Sequence, residues 1–371
     1  MYPALVVRQA LGSDADPVLW VGSEGGMEAD LVQRVGIPFK AIPSGQVAGM
    51  GLRSLLSLAR VLQGTLVSRR ILNDFKPDVL LFTGGFVAVP MALAASGLPG
   101  SRKVPSLVYV PDIEPGIALK LLTRFASLIA LTTEDSRAYF APEKRTVVTG
   151  YPTRPELSGW TRETGLAHLN LEPDRFTLLV TGGSKGSRTI NQPLIAVLPQ
   201  RLAEMQVIHI TGQLDWPEAE AAQASLTASL PLEIARHYHP VAYLHEMGAA
   251  LAAADLAISR SGASTLGEYP QFGLPAVLVP YQFAWRYQKV NADYLVRAGA
   301  AVLLEHDQLP EKLLPTVQAL ARDPDRLQSM RQAMQSLSKP QAAERLADLV
   351  RELAQHKREQ MRTETAVYRE R

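Results

Sequence analysis

The chain has 371 residues, with 38 basic and 36 acidic side chains and a formal net charge of +2. That length exceeds one ordinary core and suits two domains, and the near-balanced charge gives no footing for nucleic-acid binding. Hydrophobic residues make up 47% and charged residues 20%, which excludes a disordered chain or a coiled coil; with no cysteine, disulfides, thiolate metal sites and cysteine nucleophiles are excluded too.

The N-terminus lacks a basic start, an unbroken apolar run and a small-residue cleavage site, so no signal peptide is expected. Short apolar strands then alternate with helical patterns. Strands are predicted at Val18 to Val21, Val79 to Phe82, Ser106 to Val110, Leu128 to Leu131 and Thr146 to Val148. Between the first two, Gly51 to Phe75 interleaves leucines and valines with Arg53, Arg60, Arg69 and Arg70. It reads either as a surface helix packed on its own sheet or as a basic amphipathic helix for an anionic membrane. Val79 to Gly100 is uncharged and long enough to cross a bilayer, but Gly84-Gly85, Pro90 and Gly97-Leu98-Pro99 favour a strand, turn and helix.

Gly150 to Pro173, interrupted by prolines and glycines, is the expected hinge. A second series of strands follows at Phe176 to Val180, Val207 to Ile210, Leu256 to Ile258, Ala276 to Val279 and Ala301 to Leu304, and helices extend from Leu313 to about His356. The fold class is α/β, two Rossmann-like doubly wound domains with a cleft between them. Their expected bounds are 1–149 and 150–330. Helices at 331–356 are expected to pack back on the first domain, and a charged tail at 357–371 to fray.

Two turns carry chemistry. Thr181-Gly182-Gly183-Ser184-Lys185-Gly186 follows a strand and precedes a helix, offering backbone N–H groups, the Ser184 hydroxyl and the Lys185 ammonium to an anion. It matches neither a P-loop nor a dinucleotide fingerprint, and a plain tight turn is its alternative. Ser259 to Glu268 is the second: a small-residue turn entering a helix, with Glu268 placed to accept two hydrogen bonds from a diol, or else an ordinary capped helix start. Together the turns point to a diphosphate. His237, His239 and His245 lie close in sequence without a carboxylate pattern, so surface or loop roles are expected rather than a metal site.

Several segments, in this order, carry a resemblance: Trp20 to Ser23 with Met27 to Val32, Lys76-Pro77-Asp78, Gly84 to Val87, Gly182 to Gly186, and Arg260 to Ala263 through Gln288 and Asn291. From Tyr2 to roughly Leu349 the chain resembles the family of UDP-N-acetylglucosamine transferases that convert lipid I to lipid II in peptidoglycan synthesis. The resemblance implies the GT-B glycosyltransferase architecture, with the donor in the C-terminal domain and an undecaprenyl-linked acceptor against the N-terminal one. It implies inverting displacement of UDP without a metal or cofactor, at the cytoplasmic face of the cell membrane. Carried over by position, Glu268 would hold the ribose hydroxyls and Leu244 would lie beside the uracil. Ala263, Ser264 and Thr265, with Leu266 and Gly267 completing the segment, would meet the diphosphate. Arg154 and Ser184 would contact phosphate, and Gln288 the sugar; Asp112, Gly183 and Lys185 are further candidates. The basic segment Gly51 to Phe75 becomes a candidate membrane-docking face.

The chain also departs from that pattern. The family's opening strand and its glycine-rich turn ending in histidine would fall before Met1, so no catalytic base is identifiable in the sequence; the expectation is that Met1 stands for a valine codon read as a start. The family's His-Glu-Gln-Asn is here Tyr109-Val110-Pro111-Asp112, Tyr151 replaces an asparagine, and Trp285 and Tyr287 replace polar residues. These changes keep two other readings open: a transferase for another lipid or hydrophobic acceptor, and a UDP-sugar-binding relative without turnover. A nucleotide-sugar epimerase of the same architecture fits the motif order less well.

Overall fold

The computed structural model describes residues 2–26, 28–44, 52–99, 101, 103–281 and 287–369, without the side chains at 15, 52–56 and 364–369. Met1, Met27, Gly51, Gly100 and Trp285, named above, lie outside the described residues. The chain divides into two compact units, Met1–Pro152 with Gln341–Arg371, and Thr153–Pro340.

In the first unit, β1 (Trp20–Ser23) pairs in parallel with β2 (Phe39–Ile42). A separate parallel sheet runs β3 (Leu80–Phe82), β4 (Ser106–Val110), β5 (Leu128–Leu131) and β6 (Thr146–Val148) in spatial order 3-4-5-6. Among the described residues no ladder joins the two sheets. β4 is buried at every position because both faces are covered. Val108 and Val110 face a cluster with Val61, Ile71 and Leu72 of the helix Leu52–Phe75. Leu107 and Tyr109 face the helices Tyr2–Leu11 and Ala342–Arg369 through Val7, Leu11, Leu346 and Val350.

The latter helix corrects one expectation. The segment beyond 356 does not fray within the described residues but continues to Arg369, since Lys357 donates to the Pro77 carbonyl at 3.3 Å and Arg358 pairs with Asp78 at 2.6 Å. The stretch read as 331–356 also splits. Pro324–Ser336 belongs to the second unit, and only the helix from Ala342 joins the first. Val79 to Gly100 resolves into β3, a glycine turn and the short helix Ala88–Ala94, and no described helix is long and apolar enough to cross a membrane.

The second unit holds one six-stranded parallel sheet of β7 (Phe176–Thr181), β8 (Met205–Ile210), β9 (Tyr238–Val241), β10 (Leu256–Ser259), β11 (Ala276–Leu278) and β12 (Ala301–Leu303). Its spatial order is β12-β11-β10-β7-β8-β9. The order reverses between β7 and β10, and a doubly wound sheet opens its ligand crevice beyond the carboxyl ends of the strands at such a reversal.

β2 and β9 were not predicted. Phe39-Lys40-Ala41-Ile42 is short and flanked by Pro38 and Pro43, and Tyr238-His239-Pro240-Val241 carries a proline. Proline is tolerated on a sheet edge but argues against a strand when a sequence is read alone. β9 is indeed an edge strand.

Candidate functional site

The two turns singled out in the sequence follow β7 and β10, the two strands at the topological reversal. After β7, the turn is packed behind and open in front. A Cβ on Gly186 would stand 2.0 Å from the Thr211 carbonyl oxygen, so only glycine lets the turn close on the end of β8. Gly183, at φ +85°, has nothing within 4 Å of its would-be Cβ, and Ser184 and Lys185 are exposed beside it. Not every backbone donor is available to a ligand. Gly183 N–H donates to the Thr181 hydroxyl at 3.2 Å and Gly186 N–H to the Gly183 carbonyl at 2.9 Å. The helix Arg188–Val197 then begins.

After β10, the chain does not enter a helix directly. Ala263–Leu266 forms a 3₁₀ turn, Gly267 breaks it, and Glu268 opens the helix Glu268–Phe272. Neither helix start has a side-chain cap, so the capping-box alternative is not what holds this segment. Thr265 N–H and hydroxyl both go to the Gly262 carbonyl, at 3.0 and 2.7 Å. Thr265 and Leu266 are buried, and the Thr265 backbone donor is spent inside the turn. Ala263 and Ser264 begin the 3₁₀ turn, and first-turn N–H groups have no acceptor within the turn.

Glu268 is largely buried and meets Arg154 Nη2 at 3.5 Å. Burial pushes its carboxyl up from the ordinary carboxylate range, while the Arg154 charge and a hydrogen bond from Ser264 pull it down. Arg154 therefore sits on the carboxylate, in addition to any phosphate role. Gln288, on the helix Tyr287–Arg297, is tied at two atoms: its side-chain oxygen accepts from Tyr281 N–H at 3.0 Å, and its backbone carbonyl from the Ser261 hydroxyl at 2.7 Å. Fully buried Asn291 donates to the Ser261 carbonyl at 3.1 Å. Leu244 stands apart from this group, lining a cleft of about 490 Å³ along β9 with His239, Val241 and Thr227. Asp112 belongs to the first unit, half-buried just past β4.

Two features were not legible in the sequence. One is a buried polar network beneath the first turn. His209 Nε2 meets Asn191 at 3.0 Å and Nδ1 meets the Tyr238 hydroxyl at 2.8 Å, while Asn191 donates to Asp215 and to the Thr211 carbonyl, each at 2.9 Å. Arg188 closes it on Asp215 at 3.0 Å. Burial pushes the His209 imidazole down to about 4, so it is neutral and acts as a fixed hydrogen-bonding strut under Thr211. The other is Arg260, whose contacts cross three strands. The expected loop histidines are otherwise engaged: His237 is held by the Leu202 carbonyl at 2.8 Å and Glu172 at 3.2 Å, and the ring of His245 lies edge-on to that of Tyr243.

Comparisons with known proteins bear on the fold and the family. Residues 1–131 match the glycosyltransferase family 28 N-terminal domain and residues 177–346 its C-terminal domain. The chain is 37% identical to the UDP-N-acetylglucosamine--N-acetylmuramyl-(pentapeptide) pyrophosphoryl-undecaprenol N-acetylglucosamine transferase of Desulforudis audaxviator (strain MP104C), over 95% of each chain. It is 38% identical to that of Roseiflexus sp. (strain RS-1), covering 95% of this chain and 92% of the relative. The crystal structure of Acinetobacter baumannii MurG superposes with a TM-score of 0.75 at 26% identity, over 95% of each chain. The two parallel units are thus the GT-B fold of a glycosyltransferase, and the chain belongs to the family of UDP-N-acetylglucosamine--N-acetylmuramyl-(pentapeptide) pyrophosphoryl-undecaprenol N-acetylglucosamine transferases.

Proposed function

We propose that the chain transfers N-acetylglucosamine from UDP-N-acetylglucosamine to lipid I, forming lipid II, with inversion at the anomeric carbon and no metal. The observation that carries this reading is the pairing of two open turns at the β7/β10 reversal with a buried, arginine-bound carboxylate, in a chain collinear with its relatives. In this reading Glu268 accepts hydrogen bonds from the ribose diol, and the Ala263 and Ser264 backbone meets the diphosphate, the Thr265 N–H being already given to the Gly262 carbonyl. Ser184, Lys185 and Arg154 supply hydrogen bonds and charge as UDP departs, a preorganised electrostatic contribution. The Gln288 oxygen is already engaged, so its carboxamide nitrogen is the group for the sugar. Leu244 packs beside the uracil.

The first unit faces the lipid. On the helix Leu52–Phe75, Val61 turns into the core while Leu58, Leu62 and Leu66 are each more than half exposed at four-residue spacing. Arg70 follows one turn on. Such a leucine ridge ending in cations supports docking to an anionic membrane surface at the cytoplasmic face.

The test is transfer of labelled sugar from UDP-N-acetylglucosamine to lipid I in micelles. A labelled lipid-linked disaccharide is expected; UDP release without that product defeats the reading. Glu268→Ala should lower kcat/KM roughly 100-fold, in line with losing two hydrogen bonds to a charged acceptor. A second reading, transfer to another hydrophobic acceptor, is favoured by Tyr109. It is fully buried and bonded to Thr132 at 2.8 Å, so it offers no polar group to an acceptor where the family has histidine. Product with a different lipid, and none with lipid I, would select it.

A further inference from the structure

The carboxyl ends of β3 to β6 are where a doubly wound sheet receives its ligand, and the polar groups gathered there belong to the first unit. Past β4 the chain runs Pro111-Asp112-Ile113-Glu114-Pro115-Gly116 into the helix Ile117–Leu122. This loop is pinned on both sides of Asp112. The Thr132 hydroxyl, just past β5, donates to the Val110 and Pro111 carbonyls at 3.0 and 2.9 Å and receives from the Tyr109 hydroxyl at 2.8 Å. Ile113 and Glu114 are buried.

Four carboxylates stand within four residues of a strand end in this sheet, and three are poorly placed to take a proton from a substrate. Glu114 is buried against Lys120 at 3.2 Å, Glu134 is exposed and paired with Arg137, and Asp135 is exposed. Asp112 alone of the four is half-buried, and a base must be held in place yet reachable. Burial, with the charges of Tyr151 and Asp112 nearby, pushes the Tyr109 phenol well above its ordinary range, so it stays protonated. The tyrosine standing where the family has histidine therefore takes up no proton. At position 112 the family has asparagine, whose carboxamide cannot accept a proton, whereas the carboxylate here can.

We propose that Asp112 is the catalytic base that takes the proton of the acceptor's sugar hydroxyl. The assignment rests on the transfer reading above. As the hydroxyl oxygen bonds to the anomeric carbon, its proton passes to a carboxylate oxygen of Asp112. The bond from that carbon to the diphosphate oxygen breaks, and UDP leaves with the electron pair. Asp112 then returns the proton to solvent, and no further reactant is needed.

Steady-state transfer by the full chain is compared for the parent, Asp112→Asn and Asp112→Ala, with UDP affinity measured by calorimetry beside each. Asp112→Asn keeps the shape but takes no proton, so kcat should fall at least about 100-fold while acceptor KM and UDP affinity stay within about threefold. Asp112→Ala should lose as much and regain about tenfold in kcat on adding sodium formate, whose carboxylate enters the space left; Asp112→Asn has no such space and should not respond. A kcat for Asp112→Asn within about tenfold of the parent overturns the proposal. So does a loss confined to KM, a fall in UDP affinity, or an alanine variant that formate leaves unchanged, since each marks a binding or structural role. If Asp112→Ala does not fold, the kcat, KM and UDP affinity of Asp112→Asn decide alone. The parent is assayed with whichever acceptor it turns over. A parent that binds UDP-N-acetylglucosamine and turns over none overturns the transfer reading and this assignment with it, whereas a parent that transfers while Asp112→Asn keeps pace overturns this assignment only.

Discussion

The two units are built from the same βα repeat yet differ in how far they are finished. The second has one continuous six-stranded sheet, a reversal of strand order, and a buried polar network beneath its first turn. The first has its strands in two separate sheets and carries an exposed leucine ridge. A nucleotide is a small polar ligand that needs fixed donors, and in the proposed reading the second unit supplies them from turns held by hydrogen bonds such as Asn191 to the Thr211 carbonyl. A lipid-borne acceptor presents apolar surface, and in the same reading the exposed leucines of the first unit are what would meet it.

The largest expected effect falls on the rigidity of the second unit. Gly186→Ala puts a methyl group against the Thr211 carbonyl and should destabilise the protein by about 4 kcal/mol, whereas Gly183→Ala, strained only in its φ, should cost about 1 kcal/mol. Thermal melts of the two variants check this, and equal losses would undo the distinction between the packed and open sides of the turn.

Next comes the pH response of the buried network. His209 is held down to about 4 in the folded state, so the unfolded chain takes up the proton first as pH falls below 6.5. Stability from this group is fully present above 6.5 and lost as pH drops towards 4, by about 3 kcal/mol in all. Urea melts across that window should show the loss, and His209→Asn should flatten it. A parent profile that is flat between 6.5 and 4 would break the contrast between a finished and an open unit.

The leucine ridge is the corresponding test of the first unit. Replacing Leu58, Leu62 and Leu66 by serine should weaken binding to vesicles containing anionic lipid by about 2 kcal/mol, roughly 30-fold, without altering UDP affinity. Cosedimentation and calorimetry on the same variant measure both. A change in UDP affinity would mean the ridge supports the donor unit instead.

The smallest effect concerns Arg154. If it keeps Glu268 ionised as well as meeting phosphate, Arg154→Met should weaken uridine progressively more as the pH is lowered, because Glu268, already raised by burial, rises further without its cation. Uridine affinity independent of pH in this variant would confine Arg154 to the phosphate.

Much of the site was legible because strand-to-helix turns leave local signatures. Gly182 to Gly186 and Arg260 to Glu268 show small residues after apolar runs, and backbone donors there need no distant partner to be inferred. The Arg154–Glu268 pair, 114 positions apart, leaves no such trace: Glu268 was read from its turn and Arg154 from the resemblance, as a phosphate contact, and their meeting was not foreseen. The polar network was hidden for the same reason: Asn191, His209, Asp215 and Tyr238 look unremarkable singly, and their meaning lies in being mutually satisfied. The helical continuation past His356 was misjudged because its anchors, Pro77 and Asp78, lie some 280 positions away.

By itself the sequence determined the α/β class, the order of most strands, the two turns and the family, since each depends on local periodicity or on ordered motifs. Tertiary structure decided which strands stand at the reversal, that β2 and β9 exist as edges, and that Arg260 joins the end of β10 to Thr189 and to the Val279 and Pro280 carbonyls. Those are matters of what lies opposite a residue in space, and a hydrogen bond or an uncompensated charge is defined only by its neighbours.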